Sequence, residues 1–110
     1  MILLGDPKVS GCVPVTSNEK GTVVVRIPPN ACQPASLCVR NIDAAAIVYL
    51  KSVKRNEGGK VSSTDHGVKL SAGDSYDWGG APPRNADIIA ISTVNNSLLA
   101  IEGNWILSEG

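Results

Sequence analysis

The chain has 110 residues, with ten Lys and Arg against ten Asp and Glu and a single His, so its formal net charge is zero. That length reads as one domain, 1–110, with a modest core, and the balanced charge supplies no global field to draw the chain onto nucleic acid or anionic lipid. No window approaches the ~18 apolar residues of a membrane span, and Met1-Ile2-Leu3-Leu4 ahead of Gly5-Asp6-Pro7 lacks the basic and apolar regions of a secretory leader, so the chain is expected to be made in the cytosol and to stay there unless assembled elsewhere.

Val and Ile together number 21 against eight Leu, and 11 Gly and seven Pro cut the chain into short pieces. Branching at Cβ restricts χ1 and suits a pleated surface better than a helix. The first residues, Ile2-Leu3-Leu4, read equally as an apolar arm within residues 1–8 or as the domain's own first strand. A less distinct strand covers Val9–Val15. Gly21–Ile27 is the next, stopped by Pro28-Pro29-Asn30, followed by Leu37–Ile42 and Ile47–Lys51 across a tight Asp43-Ala44-Ala45 connection. The nearest thing to a helix, Asp43–Ile47, is too short to stand alone. Lys54 to Asp65 is polar, has Gly58-Gly59 at its middle, and reads as a mobile loop or a hairpin tip.

Gly67–Leu70 predicts a short strand, turned by Ser71-Ala72-Gly73 and answered by Asp74–Trp78 with Tyr76 and Trp78 on one face. Asp87–Thr93 is a nearly continuous apolar run, as expected of a central strand. Asn95-Asn96 marks a turn, and Leu98–Glu102 and Asn104–Leu107 close the chain, with Gly103 a candidate bulge. The expected fold is all-β: a single antiparallel β-sandwich or small barrel, jelly-roll-like, of seven or eight short strands. Tyr49, Tyr76, Trp78 and Trp105 are the only aromatics besides His66 and are expected in packing.

Charge is uneven along the chain: residues 1–69 hold nine Lys and Arg against five Asp and Glu, and 70–110 hold one against five. A fold that kept these segments apart would have two poles. Cys12, Cys32 and Cys38 cannot all pair within one chain and fall short of the four ligands of a zinc site. They read as reduced, mostly buried thiols, with a Cys32–Cys38 bridge the alternative under oxidising conditions.

Catalysis needs a constellation, and the sequence offers none. His66 stands in a polar stretch, Ser62 to Gly67, that reads as solvated. Asp74 and Asp77 are three apart and face opposite sides of a regular strand, which argues against an acid–base pair. No phosphate-binding glycine motif is present. Lys51, Lys54 and Arg55 form a small basic cluster without interleaved aromatics, read first as a solvated loop face. No cofactor and no metal are expected.

The order of several pieces is similar to that in the β-sandwich modules of tailed-phage virion proteins. These are Leu37–Ile42 with Val39-Arg40-Asn41, then Ala46–Leu50, then His66–Trp78 in the pattern Gly-x-x-Leu-x-x-Gly-Asp-x-Tyr, then Ala86–Thr93, then Leu99–Glu102. The resemblance spans about two-thirds of the chain; each piece is degenerate, and their order is the specific part. It implies a head decoration or cement protein without catalytic residues. Its partners would be the major capsid protein or other virion proteins, with self-association into a homo-oligomer, and without nucleic acid or membrane. It would be assembled in the host cytoplasm and located on the virion. A tail or head-fibre module that binds sugar or receptor is the first alternative, and a non-virion inhibitor of a host enzyme the second. Contact residues expected from the sequence are Ile2, Leu3 and Leu4 in the arm and Lys51, Lys54 and Arg55 in the basic cluster.

Overall fold

The alternation of branched apolar and polar residues resolves into eight strands, with no helix among the described residues. The computed structural model describes residues 8–18, 20–27, 31–54, 59–78 and 86–107, with backbone alone for 8–10, 31–36 and 104–107. In chain order the strands are β1 (Lys8–Val15), β2 (Thr22–Ile27), β3 (Ala31–Asn41), β4 (Val48–Lys54), β5 (Val68–Leu70), β6 (Ser75–Asp77), β7 (Ala86–Ser92) and β8 (Ser97–Leu107).

They form two four-stranded antiparallel sheets, ordered β1-β8-β3-β6 and β2-β7-β4-β5. The pairings β1 with β8, β2 with β7, β3 with β6 and β4 with β5 are the nested rungs of one long hairpin. Successive outer rungs fall in opposite sheets, which is the rolled-up double Greek key of a jelly roll. The fold is therefore a small all-β sandwich with jelly-roll topology.

The core lies between the sheets. Leu37 and Val39 of β3 and Leu99 and Ile101 of β8 face Val25 and Ile27 of β2, Val48 and Leu50 of β4, Leu70 of β5 and Ile88 and Ala90 of β7. Full burial of each large aliphatic side chain contributes about 1.5–3 kcal/mol before ordering costs. β7 is buried along nearly its whole length, as its apolar run predicts, because it lies between β2 and β4 and is covered on both faces.

The linker after β3 is not helical. Asn41, fully buried, donates from Nδ2 to the carbonyls of Ala46 (2.8 Å) and Leu70 (3.1 Å), and its Oδ1 accepts from Asp43 N–H. Asp43 Oδ1 in turn accepts from the amides of Ala45 and Ala46, and these bonds hold its carboxyl below the usual carboxylate range. The Asn95-Asn96 turn forms as expected, with Asn96 at φ 64° and a Ser92–Ser97 hydroxyl pair bracing its two ends.

Several expectations are corrected. β5 and β6 are not a hairpin: β5 pairs with β4 and β6 with β3, so the Ser71–Asp74 turn carries the chain from one sheet to the other. Gly103 is not a bulge, since β8 runs through it in register with Val9 and Leu37; the irregularities lie in β2 at Val23/Val25 and in β3 at Cys32/Ala35. The two charge-biased segments do not form poles, because strands of the later segment pair with strands of the earlier one. Asp87 of β7, for example, binds Arg26 of β2.

The cysteines also depart from expectation. Cys12 is exposed and Cys38 half-buried, both free. Cys32 and Cys38 lie on the same strand, and their partners on β8 are Ile106 and Glu102. Four residues of extended β8 separate them by about 13 Å, well beyond the ~7 Å limit for a disulfide, so the Cys32–Cys38 bridge is excluded by the strand itself.

Candidate functional site

A two-sheet sandwich has two outer faces, and in this molecule they are finished differently. On the β2-β7-β4-β5 sheet, Tyr49, Lys51 and Val53 of β4 and Asp87, Ile89 and Ile91 of β7 point outward by the period-2 rule. The segment 59–66 straps across them. Its Val61 is fully buried. A Cβ on Gly59 would stand 2.7 Å from Val53 Cγ1, and one on Gly21 only 3.0 Å from Val61 Cγ1 and 2.9 Å from Ala90 O, so the strap lies at backbone contact distance. Gly21 also takes φ 73°, a conformation that glycine adopts without strain.

Polar bonds secure the strap. Lys51 Nζ reaches both carboxylate oxygens of Asp65 at 3.0 and 2.9 Å and the Lys60 carbonyl at 3.3 Å. His66 Nδ1 is 3.0 Å from Ser62 O, and its ring centroid lies 4.7 Å from that of Tyr49. The described part of the expected mobile loop is thus a packed cover, and His66 is half-buried rather than solvated. The sequence signal was Val61, a lone apolar residue in a polar stretch. Further along this face Arg26 grips the buried Asp87 through Nε–Oδ1 (2.9 Å) and Nη2–Oδ2 (3.2 Å), which raises the guanidinium pKa above its ordinary value through the hydrogen bond and the charge of Asp87.

Among the described residues the outer face of the β1-β8-β3-β6 sheet carries no such strap. Register places its outward side chains in rows. Pro14 stands beside Leu98, and Ile42, one residue past Asn41, falls at the same level. Cys12, Ala100, Arg40 and Ser75 make the second row, and Glu102, Cys38 and Asp77 the third. Ile42 and Leu98 are 46% and 43% exposed, values that mark an apolar edge open to contact. Next to them is a shallow depression of about 400 Å³ lined by Gly11, Cys12, Cys38, Arg40, Ala100, Ile101 and Glu102. Gly11 has no side chain and those of Cys12 and Ala100 are small, so the floor lies close to backbone level.

A second, smaller cleft of about 210 Å³ opens at the edge where β5 and β6 face each other, lined by Leu50, Lys51, Ser52, Gly67, Val68, Tyr76 and Trp78. Tyr76 and Trp78 meet edge to face at 4.6 Å between centroids. Trp78 packs on the core, whereas Tyr76 is exposed, so the aromatics are not all absorbed in packing. The side chain of Trp105 lies outside the described residues.

Of the contact residues expected from the sequence, Ile2, Leu3, Leu4 and Arg55 lie outside the described residues. Lys51 is half-buried and engaged by Asp65, and Lys54 is exposed at the end of β4. An odd spacing puts these two lysines on opposite faces of β4, so they do not share one surface. Sequence reasoning missed the row residues Cys12, Cys38, Arg40, Ile42, Leu98, Ala100 and Glu102. Their only advance sign was the alternation along β8, where Leu98, Ala100 and Glu102 share the face opposite Leu99 and Ile101.

Chemically, the uncovered face can bury apolar surface and pair single charges. No group of three or more His, Cys, Asp and Glu able to hold a metal occurs among the described residues. Comparison with known proteins returns no matching family model, no matching curated protein and no matching solved structure.

Proposed function

We propose that the chain is a structural protein of a viral particle, a decoration or cement subunit on the head of a tailed phage that acts through protein–protein contacts made by the outer face of the β1-β8-β3-β6 sheet. The observation that carries this reading is the contrast between the two outer faces: one is crossed by the chain's own strap, which leaves Val23 exposed at its β2 side, and the other presents Pro14, Ile42 and Leu98 beside a floor of small residues. An apolar face left open on a small domain supports contact with another macromolecule. Jelly-roll topology adds support at the level of analogy, because viral capsid domains use it, though lectin domains and cupins do too. Contacts repeated over a lattice reinforce each other, so one small face per subunit suffices.

Mass spectrometry of purified particles tests the reading. The chain is expected in stoichiometric amounts, and a Leu98→Asp variant is expected to fold normally yet be depleted from particles. Absence of the wild-type chain from particles would overturn the proposal and turn attention to a host-enzyme inhibitor. Deleting Met1–Leu4 asks separately whether the arm contributes to attachment. A second reading, a sugar- or receptor-binding module, draws support from the Tyr76–Trp78 cleft; quenching of Trp fluorescence by glycans, abolished in Tyr76→Ala, is its signature.

A further inference from the structure

Three charged side chains of the described residues stand on the uncovered face, Arg40, Glu102 and Asp77, and the first two lie side by side over its depression. Arg40 on β3 and Glu102 on β8 are both exposed and both line the depression, and neither side chain has an ion-pair partner among the described residues. Arg40 sits opposite Ala100, and Glu102 opposite Cys38, so the two charges are diagonal neighbours across adjacent strands. One positive and one negative site on a diagonal form a self-complementary pattern. A two-fold axis lying in the plane of contact and bisecting that diagonal exchanges the two positions.

We infer that this face packs against the same face of a second copy of the chain, forming an isologous dimer in which each Arg40 meets the other copy's Glu102. The inference rests on the reading of this face as a contact surface and names its partner. The face is small. Opposite the eight residues of β1 lie eight of β8, six of β3 and three of β6, which at about 3.3 by 4.8 Å per residue define roughly 400 Å² in projection. Two such faces bury at most about 800 Å², below the ~1,000 Å² of a stable specific interface, so only a weak, concentration-dependent dimer is expected. The low floor formed by Gly11, Cys12 and Ala100 lets the two sheets approach closely. On an ideal sheet grid Cys12 falls within about 2 Å of the two-fold axis, which places the exposed thiols of the two copies near each other. Asp77, at the opposite rim, falls equally near the axis, so the two copies' carboxylates face each other there and weaken the dimer.

The test is sedimentation of the purified full chain with charge-reversal variants. Wild type is expected to self-associate at micromolar to sub-millimolar concentration. Arg40→Glu and Glu102→Arg, each placing like charges together twice, are expected to weaken association by roughly tenfold or more. Mixing the two variants is expected to restore it, because in the mixed dimer both contacts between position 40 of one copy and position 102 of the other again join an acidic to a basic side chain. A wild-type chain that remains monomeric at about 1 mM, or variants that associate as well as wild type, would overturn the inference. A measurement without charge reversal covers the case in which a variant fails to fold: a short bismaleimide should cross-link wild-type dimers, and Cys12→Ser should abolish the product. Absence of that product in concentrated wild type also counts against the dimer. A monomer that is nonetheless found in particles sinks the inference and leaves the functional reading standing; a dimer absent from particles does the reverse.

Discussion

Asn41 ties together three parts of the molecule that are distant in sequence or direction, and removing its amide gives a stability loss that can be worked from the structure. The side chain is fully buried, and so are the residues whose carbonyls it satisfies: Ala46 is 1% and Leu70 2% exposed. In Asn41→Ala both carbonyls lose a donor, and water has poor access to them. A buried polar group stripped of its partner costs about 1–3 kcal/mol, so two give roughly 2–6 kcal/mol, with the lower half favoured because carbonyls retain other bonding capacity. Loss of the bond to Asp43 N–H adds little, since that residue is half-exposed and can bind water. For a domain of this size stability totals about 5–15 kcal/mol, so a loss of ~3 kcal/mol would lower Tm by roughly 10–15 °C. Urea unfolding followed by circular dichroism measures it: the midpoint should fall while the slope holds. A change below about 1 kcal/mol would refute the reasoning, since it would mean that solvent already reaches the Ala46 and Leu70 carbonyls.

The strap offers a contrast between packing and charge: Val61→Ala should cost about 2 kcal/mol in the same unfolding assay, in line with large-to-small core changes, while Lys51→Met should cost under about 1 kcal/mol because Asp65 is largely exposed. Asp43 has a depressed folded-state pKa, so its contribution is present above the ordinary carboxylate range and lost as pH falls through the folded value. The stability difference between wild type and Asp43→Asn should therefore shrink on acidification below about pH 4, and thermal melts between pH 2 and 7 read it. Thiol titration should show Cys12 reacting fast and Cys38 more slowly in the native chain; a slow Cys12 that becomes fast on dilution would itself signal the dimer.

Residue order alone sets the material of this fold. Branched residues in short runs, broken by Gly, Pro and Asn, cannot sustain a helix and do form strands, which is why β2, β4, β7 and β8 lie close to where alternation puts them. The apolar run of β7 even announced that the strand would be covered on both sides. Residue order does not say which strand lies beside which. Pairing is a long-range choice made by the rolled hairpin, and it placed β5 and β6, neighbours in the chain, in different sheets. The same choice decided the outer faces. A strand pattern says that Leu98, Ala100 and Glu102 share a side; only the register with β1 and β3 brings Cys12, Arg40 and Cys38 into the same patch. Nor could local composition show that Lys51 would be spent on Asp65 or that Val61 would anchor a cover, because both depend on residues 59–66 returning across the sheet. Among the described residues, tertiary packing laid a strap across one face and none across the other, and on that asymmetry the functional reading stands.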